Sequence, residues 1–408
     1  MLRSFKVSGF KSLKEVRLEG LPALTVFFGP NAAGKSNILD AIQALSRIAT
    51  ARTLAEALQE PIRGYPIEAF SFPSGGLPAL LGQPSADFTI GAEIGIGKEK
   101  YGYKAIVRIE PDSGSLAVSD EYLARLTKSG ATAGNPSIEK VGDELRIRRK
   151  SKPAHPRHED VGLNHTLLSD PRLSGNEYKG IEVCRNELSG WRTYFLDARV
   201  AMRRATSPAD VSDIGTLGEN LAPFLYRLKA EREKEYSAVV RSLRAIIPSV
   251  SAVAVDLDKR RGTLDIVVTQ EGVEYSSRIV SEGTLRVLAL CALALNPWGG
   301  SLVALEEPEN GVHPRRLELI GGLLKNTAER KQVVVTTHSP IFCAAMIRLG
   351  RDNDAIGLYR VRTGVDGTEI EKLADHLTLL ADAEIRSALT EPDEGRVFED
   401  LLLRGALG

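Results

Sequence analysis

Hydrophobic positions along this chain fall into a few local patterns, and each predicts a different element. Short runs rich in β-branched and aromatic residues predict strands over residues 2–7 and 15–18, and over the apolar, β-branched and aromatic Leu24–Phe28 (LTVFF). Residues 87–96, 103–110 and 191–196 carry further strand patterns. Residues 37–49 repeat apolar positions at helical spacing. Between 219 and 247, Leu221, Phe224, Leu225 and Leu228 make one helical stripe. Tyr236, Val239, Val240, Leu243, Ile246 and Ile247 make a second, and Pro248 ends the block. Residues 250–270 (VSAVAVDLD…GTLDIVVTQ) predict a hairpin turning at 259–262. From 281 to 361 the pattern reads helix, strand, helix, strand, helix, strand, the order of a parallel α/β sheet. Residues 51–83, punctuated by Pro61, Pro66, Pro73 and Pro78, read as loop. Residues 111–180, rich in Gly, Ser, Pro and charge, read as a variable insertion. There is no internal repeat and no sustained heptad pattern.

Composition narrows this picture in five ways. A chain of 408 residues exceeds one compact core and predicts two or three lobes. Lys+Arg and Asp+Glu balance at 53 each, so contact with nucleic acid must come from a local patch. Cys184, Cys291 and Cys343 have neither metal-site nor disulfide spacing, which favours a reducing cytoplasm. The N-terminal MLRSFKVSGFKSL reads as strand and turn rather than a signal peptide. The longest apolar run, residues 287–295, is too short to span a bilayer, so no membrane partner is expected.

The chemistry concentrates in four segments. Gly29-Pro30-Asn31-Ala32-Ala33-Gly34-Lys35-Ser36 fits G-x-x-x-x-G-K-[ST] and lies between a predicted strand and a predicted helix. Its glycines let backbone N–H groups turn inward, and the following helix adds its N-terminal dipole. Asn31, Ala32, Ala33, Gly34, Lys35, Ser36 and Asn37 are therefore the expected ATP contacts. Lys35 would reach the β/γ-phosphates, and the Ser36 hydroxyl would bind Mg²⁺. In SLVALEEPENGVHP, a buried strand ends at Glu306 and Glu307. A carboxylate at the C-terminal edge of a parallel strand faces the ligand crevice. Glu306 is assigned to the Mg²⁺ shell and Glu307 to activation of water as general base. In KQVVVTTHSP, His338 follows another strand and could contact the γ-phosphate or hold the water. Ser281 to Gly283 would open a helix and offer a second anion-binding N-terminus.

In this order the four segments resemble the head domain of ABC-type ATPases outside membrane transport: SMC, RecF and the OLD-like AAA-domain proteins. GPNAAGKS resembles their Walker A and VSEGT their signature. LVALEEPENGVHP is similar to their Walker B with D-loop, and VVVTTHSP to their histidine switch. DIGTLGENLAPFL (213–225) resembles the OLD/RecF-like subgroup. The resemblance covers roughly residues 1–50 and 210–365. It implies a P-loop α/β head with a mixed or parallel sheet, an N-terminal antiparallel β-subdomain and an inserted lobe. The corresponding division is 1–85 (Walker A half), 86–210 (inserted β-rich lobe), 211–280 (helical segment and hairpin), 281–370 (signature, Walker B and His switch) and 371–408 (helical tail).

The resemblance also implies dimeric chemistry, with Ser281 and Gly283 of one subunit touching the γ-phosphate held by the other's Lys35. Three departures stand out. Glu306 replaces the transporters' Asp, which makes its metal contact water-mediated. His313 occupies the D-loop Asp position. No Q-loop is evident, Gln83 being the one candidate.

No heptads connect the halves, against an SMC-like architecture, and the short stretch after His338 argues against a Toprim nuclease domain. Two readings remain. One is a homodimeric ATPase that switches a DNA-linked process, DNA repair or anti-phage defence. The other is a nucleotide-gated scaffold that regulates a separately encoded nuclease or toxin effector without touching DNA. The DNA candidates are Arg146, Arg148, Arg149, Lys150 and Lys152, in a run (146–158) that has no acid but also no aromatic for base stacking. Arg199, Arg203 and Arg204 form a smaller cluster, for DNA or for ion pairs with neighbouring acids.

Overall fold

The computed structural model describes residues 1–350 and 355–372. Most of the tail expected to be helical (371–408) lies outside the described residues. The chain opens with β1 (Leu2–Phe10), β2 (Leu13–Glu19), β3 (Leu24–Phe28) and α1 (Lys35–Ile48). Two short helices, α2 (Leu54–Ala57) and α3 (Gly76–Leu81), lie in the proline-punctuated stretch. Next come β4 (Ala86–Ile96), β5 (Glu99–Glu110), β6 (Ser115–Leu126), β7 (Ile138–Val141), β8 (Glu144–Ile147) and β9 (Arg157–Asp160). Then follow α4 (Lys179–Ser189), β10 (Trp191–Tyr194), α5 (Leu221–Glu231), α6 (Glu233–Ile246), β11 (Val250–Asp258), β12 (Thr263–Gln270) and β13 (Val273–Ser276). The last part alternates: α7 (Glu282–Ala294), β14 (Leu302–Glu306), α8 (Leu317–Ala328), β15 (Gln332–Thr337), α9 (Pro340–Gly350), β16 (Ile356–Gly364) and β17 (Gly367–Lys372).

The strands form three sheets. An antiparallel sheet runs β2-β1-β4-β5-β6-β7-β8-β9, a mixed sheet runs β10-β14-β15-β3-β16-β17, and β11-β12-β13 make a small third one. In the mixed sheet the first five strands are parallel, and β17 closes the edge as the antiparallel arm of a hairpin. Side chains alternate across a strand, and here the alternation sorts them into two cores. Phe27, Ala304 and Val334 face the core shared with the antiparallel sheet, α1 and α4. Val26, Val303, Leu305, Val333 and Val335 face the core built by α5 to α9. The mixed sheet is thus a wall between them. That is why LTVFF and QVVVTT are buried along their whole length. Among the described residues no helix is long and apolar enough to cross a membrane.

Three local readings are refined. The helical block of 219–247 is two helices that meet at Arg232, within the charged run 231–235, where no apolar residue links the two stripes. The 250–270 hairpin gains a third strand, β13. The segment 111–180 also holds regular structure: β6 pairs with β5 along its length, and α4 packs behind the sheet. Because β4 pairs with β1, the strands after residue 86 extend the sheet begun at the N-terminus.

Candidate functional site

Parallel pairing in register brings the ends of three strands to one edge. Glu306 pairs with Thr336 and Thr336 with Phe27, so the residues that follow β14, β15 and β3 emerge side by side. The loop after β3 wraps toward α1 with Ala32 at φ 64° and Gly34 at φ 98°. Gly29 has a second constraint, since a Cβ there would meet the Val361 carbonyl oxygen at 2.0 Å. Lys35 is 5% exposed, and its ammonium donates to the carbonyls of Gly29 (2.9 Å) and Pro30 (2.8 Å). Burial lowers its pKa, opposed by the charges of Glu307, Glu306 and Glu309.

Glu307 adopts φ 43°, a left-handed conformation rare outside glycine and a form of strain that collects at functional sites. The carboxylate is held from both sides. Asn310 Nδ2 donates to Oε2 at 2.7 Å, and His338 Nδ1 lies 2.7 Å from Oε1. The structure therefore joins Glu307 and His338, which the sequence could only place at two strand ends.

Glu306 is partly exposed and lies 4.0 Å from the Arg63 guanidinium. Arg63 also bonds the fully buried Asp40 of α1 (2.9 Å) and sits 5.7 Å from the Phe195 ring centroid. Asp40 takes a second cation, Lys11, at 2.5 Å.

Ser281 caps α7, its hydroxyl accepting from Thr284 N–H at 3.2 Å. A Cβ on Gly283 would sit 2.1 Å from the Gly311 carbonyl oxygen, so the start of α7 touches the backbone of the loop after Glu307. Arg203 anchors the approach to α7, donating to the carbonyls of Ala198, Ser277 and Val280 at 2.8 Å each. Arg199 pairs with Glu282 at 3.1 Å. His313 Nδ1 accepts from Arg315 N–H at 3.2 Å and starts a short turn before α8. Gln83 is exposed in the turn between α3 and β4.

Several residues at this edge were not singled out by sequence reasoning. Glu309 is 6% exposed; the Thr337 hydroxyl donates to its Oε1, and Oε2 has no partner among the described residues. Burial, helped by the charge of Glu307, pushes its pKa up to about 7 against the opposing Thr337 bond. Burial lowers the pKa of Arg286 on α7, with Glu282, Asp197, Glu309 and Glu307 opposing. Glu309 lay inside a recognised motif, but Arg63 stands in a loop whose composition carries no signal.

The basic run is partly engaged within the fold. Arg148 bonds Glu139 (2.5 Å) and the Pro136 carbonyl (2.9 Å), and Arg149 bonds the His155 carbonyl (3.2 Å). Arg146 lies on β8, and only Lys150 and Lys152 of the five are exposed. Glu177, which bonds Ser151 at 2.6 Å, places an acid among them.

A Mg²⁺ ion fits the donors present. Ser36 and Glu306 offer hard oxygen ligands, and among the described residues no group of three or more His, Cys, Asp or Glu could hold a metal alone. Mg²⁺ takes most of its shell from phosphates and water.

The family model described as "AAA domain, putative AbiEii toxin, Type IV TA system" matches residues 24–344. Among solved structures, the chain is similar to the SMC head bound to the C-winged helix domain of ScpA. The two are 14% identical over 91% of this chain and 97% of that one, with TM-score 0.52. It is also similar to the Pyrococcus furiosus SMC head with an extended coiled coil bound to the C-terminal domain of ScpA. There the identity is 14%, the coverage 94% and 99%, and the TM-score 0.52. At that identity the likeness shows an SMC-head-like P-loop fold. No curated protein matches this sequence.

Proposed function

The chain belongs to this AAA-domain family, and from that premise we propose that it binds ATP with Mg²⁺, hydrolyses it, and closes into a homodimer around two nucleotides to switch a DNA-linked process. The observation that carries the reading is the meeting of Lys35, Glu306, Glu307 and His338 at one sheet edge. Lys35 holds the β/γ-phosphates, and backbone N–H groups of residues 31–36, apart from that of Ala33, which donates to the Pro30 carbonyl, surround them. Ser36 and Glu306 would hold Mg²⁺, which neutralises phosphate charge when bound. Glu307, fixed by Asn310 and His338, takes the proton of the attacking water. His338 orients that carboxylate and stands beside the γ-phosphate. Ser281 and Gly283 supply the second subunit's contact.

DNA repair or anti-phage defence is the process we assign. A second reading, a gate on a separately encoded nuclease or toxin effector, draws support from two observations. Arg148 and Arg149 of the 146–152 run bond protein partners, and the matching family's description names a toxin system.

Light scattering after size exclusion, with and without ATP and Mg²⁺, tests the core of the proposal. Wild type should shift from monomer to dimer with ATP, while Lys35→Ala should lose both nucleotide binding and the shift. Equal ATP affinity in the two proteins overturns the site. Salt-dependent DNA binding that disappears on neutralising Arg146, Arg148, Arg149, Lys150 and Lys152 favours the first reading; no DNA binding favours the second.

A further inference from the structure

We propose that Thr368 is a positioning residue for ATP, setting from outside the direction of one backbone N–H in the phosphate loop. This rests on the reading of residues 29–36 as the ATP cradle. Thr368 lies on β17, far from the nucleotide motifs in sequence. The β16–β17 hairpin stands beside the loop because β16 pairs in parallel with β3. Thr368 is 6% exposed, and its hydroxyl donates to the Ala33 carbonyl at 3.2 Å. It also lies 2.7 Å from the Ser12 hydroxyl, which in turn lies 2.8 Å from Asn37 Nδ2. The Thr368 N–H donates to the Ser12 carbonyl at 2.9 Å, which fixes the strand against the β1–β2 turn.

Donor chemistry gives this chain of bonds one direction. A carbonyl only accepts, so the single Thr368 hydroxyl proton goes to Ala33. Ser12 then donates to Thr368, and the Asn37 amide donates to Ser12. The relay begins on the first turn of α1 and returns to the loop two residues before Lys35, and such chains of bonds strengthen one another.

The consequence for the phosphates follows from peptide geometry. In a trans peptide the Ala33 C=O and the Gly34 N–H point in opposite directions. A bond that pulls the carbonyl outward therefore aims the Gly34 N–H into the concave side of the loop. Gly34, at φ 98°, offers little resistance of its own to rotation of that peptide. A Cβ at Gly34 would lie 2.0 Å from Thr368 Oγ1 and 2.8 Å from Ser12 Oγ, so the motif's second glycine also makes room for the hydroxyl that orients it.

The test uses the full chain with Thr368→Val, which keeps the shape and removes the donor, and Thr368→Ser, which keeps the donor. Calorimetric titration with ATP and Mg²⁺, steady-state turnover and thermal unfolding are measured for each. Thr368→Val should bind ATP about 5- to 10-fold more weakly, the effect of losing one buried hydrogen bond. KM should rise more than kcat falls, and Thr368→Ser should bind within about twofold of wild type. Ser12→Ala, which breaks the relay in the middle, should also weaken ATP and gives the same test if Thr368→Val does not fold. Wild-type affinity in Thr368→Val or Ser12→Ala overturns the proposal. So does equal weakening by Val and Ser, or weakening that only follows a lower melting temperature. If wild type itself fails to bind ATP, the cradle reading falls and this proposal with it; binding by wild type and by Thr368→Val alike removes the proposal alone.

Discussion

Glu309→Gln should change how stability depends on pH. In the folded chain burial holds the Glu309 carboxyl at about 7, against an ordinary value of 4.5. Between those values the folded chain keeps a proton that the unfolded chain has released. Stability from this group is therefore fully present below pH 4.5 and is lost as pH rises through about 7. At 1.36 kcal/mol per pH unit, the loss amounts to about 3 kcal/mol. A glutamine side chain cannot ionise and carries no such slope. Its amide oxygen can still accept from Thr337, so any change in packing appears as an offset common to all pH values. Urea unfolding of both proteins from about pH 5 to about pH 8 reads the difference. The variant should gain on wild type up to about pH 7 and then level off, by about 2.5 kcal/mol in all. Parallel curves, or a variant that loses ground as pH rises, would refute the account of a carboxyl held protonated by burial.

Two other substitutions probe the same edge. Glu307→Gln should keep ATP binding and accumulate the ATP-dependent dimer while turnover falls by about 100-fold or more, the scale of a lost general base; unchanged turnover removes Glu307 from that role. Gly283→Ala forces a Cβ to within 2.1 Å of the Gly311 carbonyl oxygen, so either α7 or the loop after Glu307 must move. Overpacking of this kind costs about 1–3 kcal/mol, visible as a lower melting temperature, and an unchanged melting temperature would contradict the backbone contact.

How much of this was legible in the sequence depended on whether the signal was local. The fully buried strands LTVFF and QVVVTT announced themselves through their unbroken runs of apolar and β-branched residues, and the alternation from 281 to 361 predicted the parallel sheet directly. β6 was missed for the opposite reason. Its sequence, SLAVSDEYLARL, includes Glu121, fully buried and accepting the backbone N–H groups of Leu167 and Leu168 and the Tyr103 hydroxyl. A buried acid satisfied by distant donors reads as surface until the fold supplies its partners. The site shows the same limit. Lys35, Glu306, Glu307 and His338 were each marked by a motif, while Arg63, Ser12 and Thr368 carry meaning only through residues far along the chain. The basic run of 146–158 looked unopposed, yet Glu139 and Glu177 lie beside it in space.

The placement of β3 has a consequence for how the protein is made. β3 lies between β15 and β16, so Leu24 aligns with Val333 on one side and Ile356 on the other. The strand that carries the phosphate loop leaves the ribosome about 300 residues before either neighbour, a wait of tens of seconds at ~5–20 residues per second. The β1–β2 hairpin and the β4–β5–β6 meander need only nearby partners and can form during that time. Closing the mixed sheet joins the most distant parts of the chain, the step that loop entropy makes slowest. A nascent chain stalled before β15 would carry every residue of the phosphate loop without the framework that shapes it. The framework around the loop is thus complete only once β15 and β16 have been made.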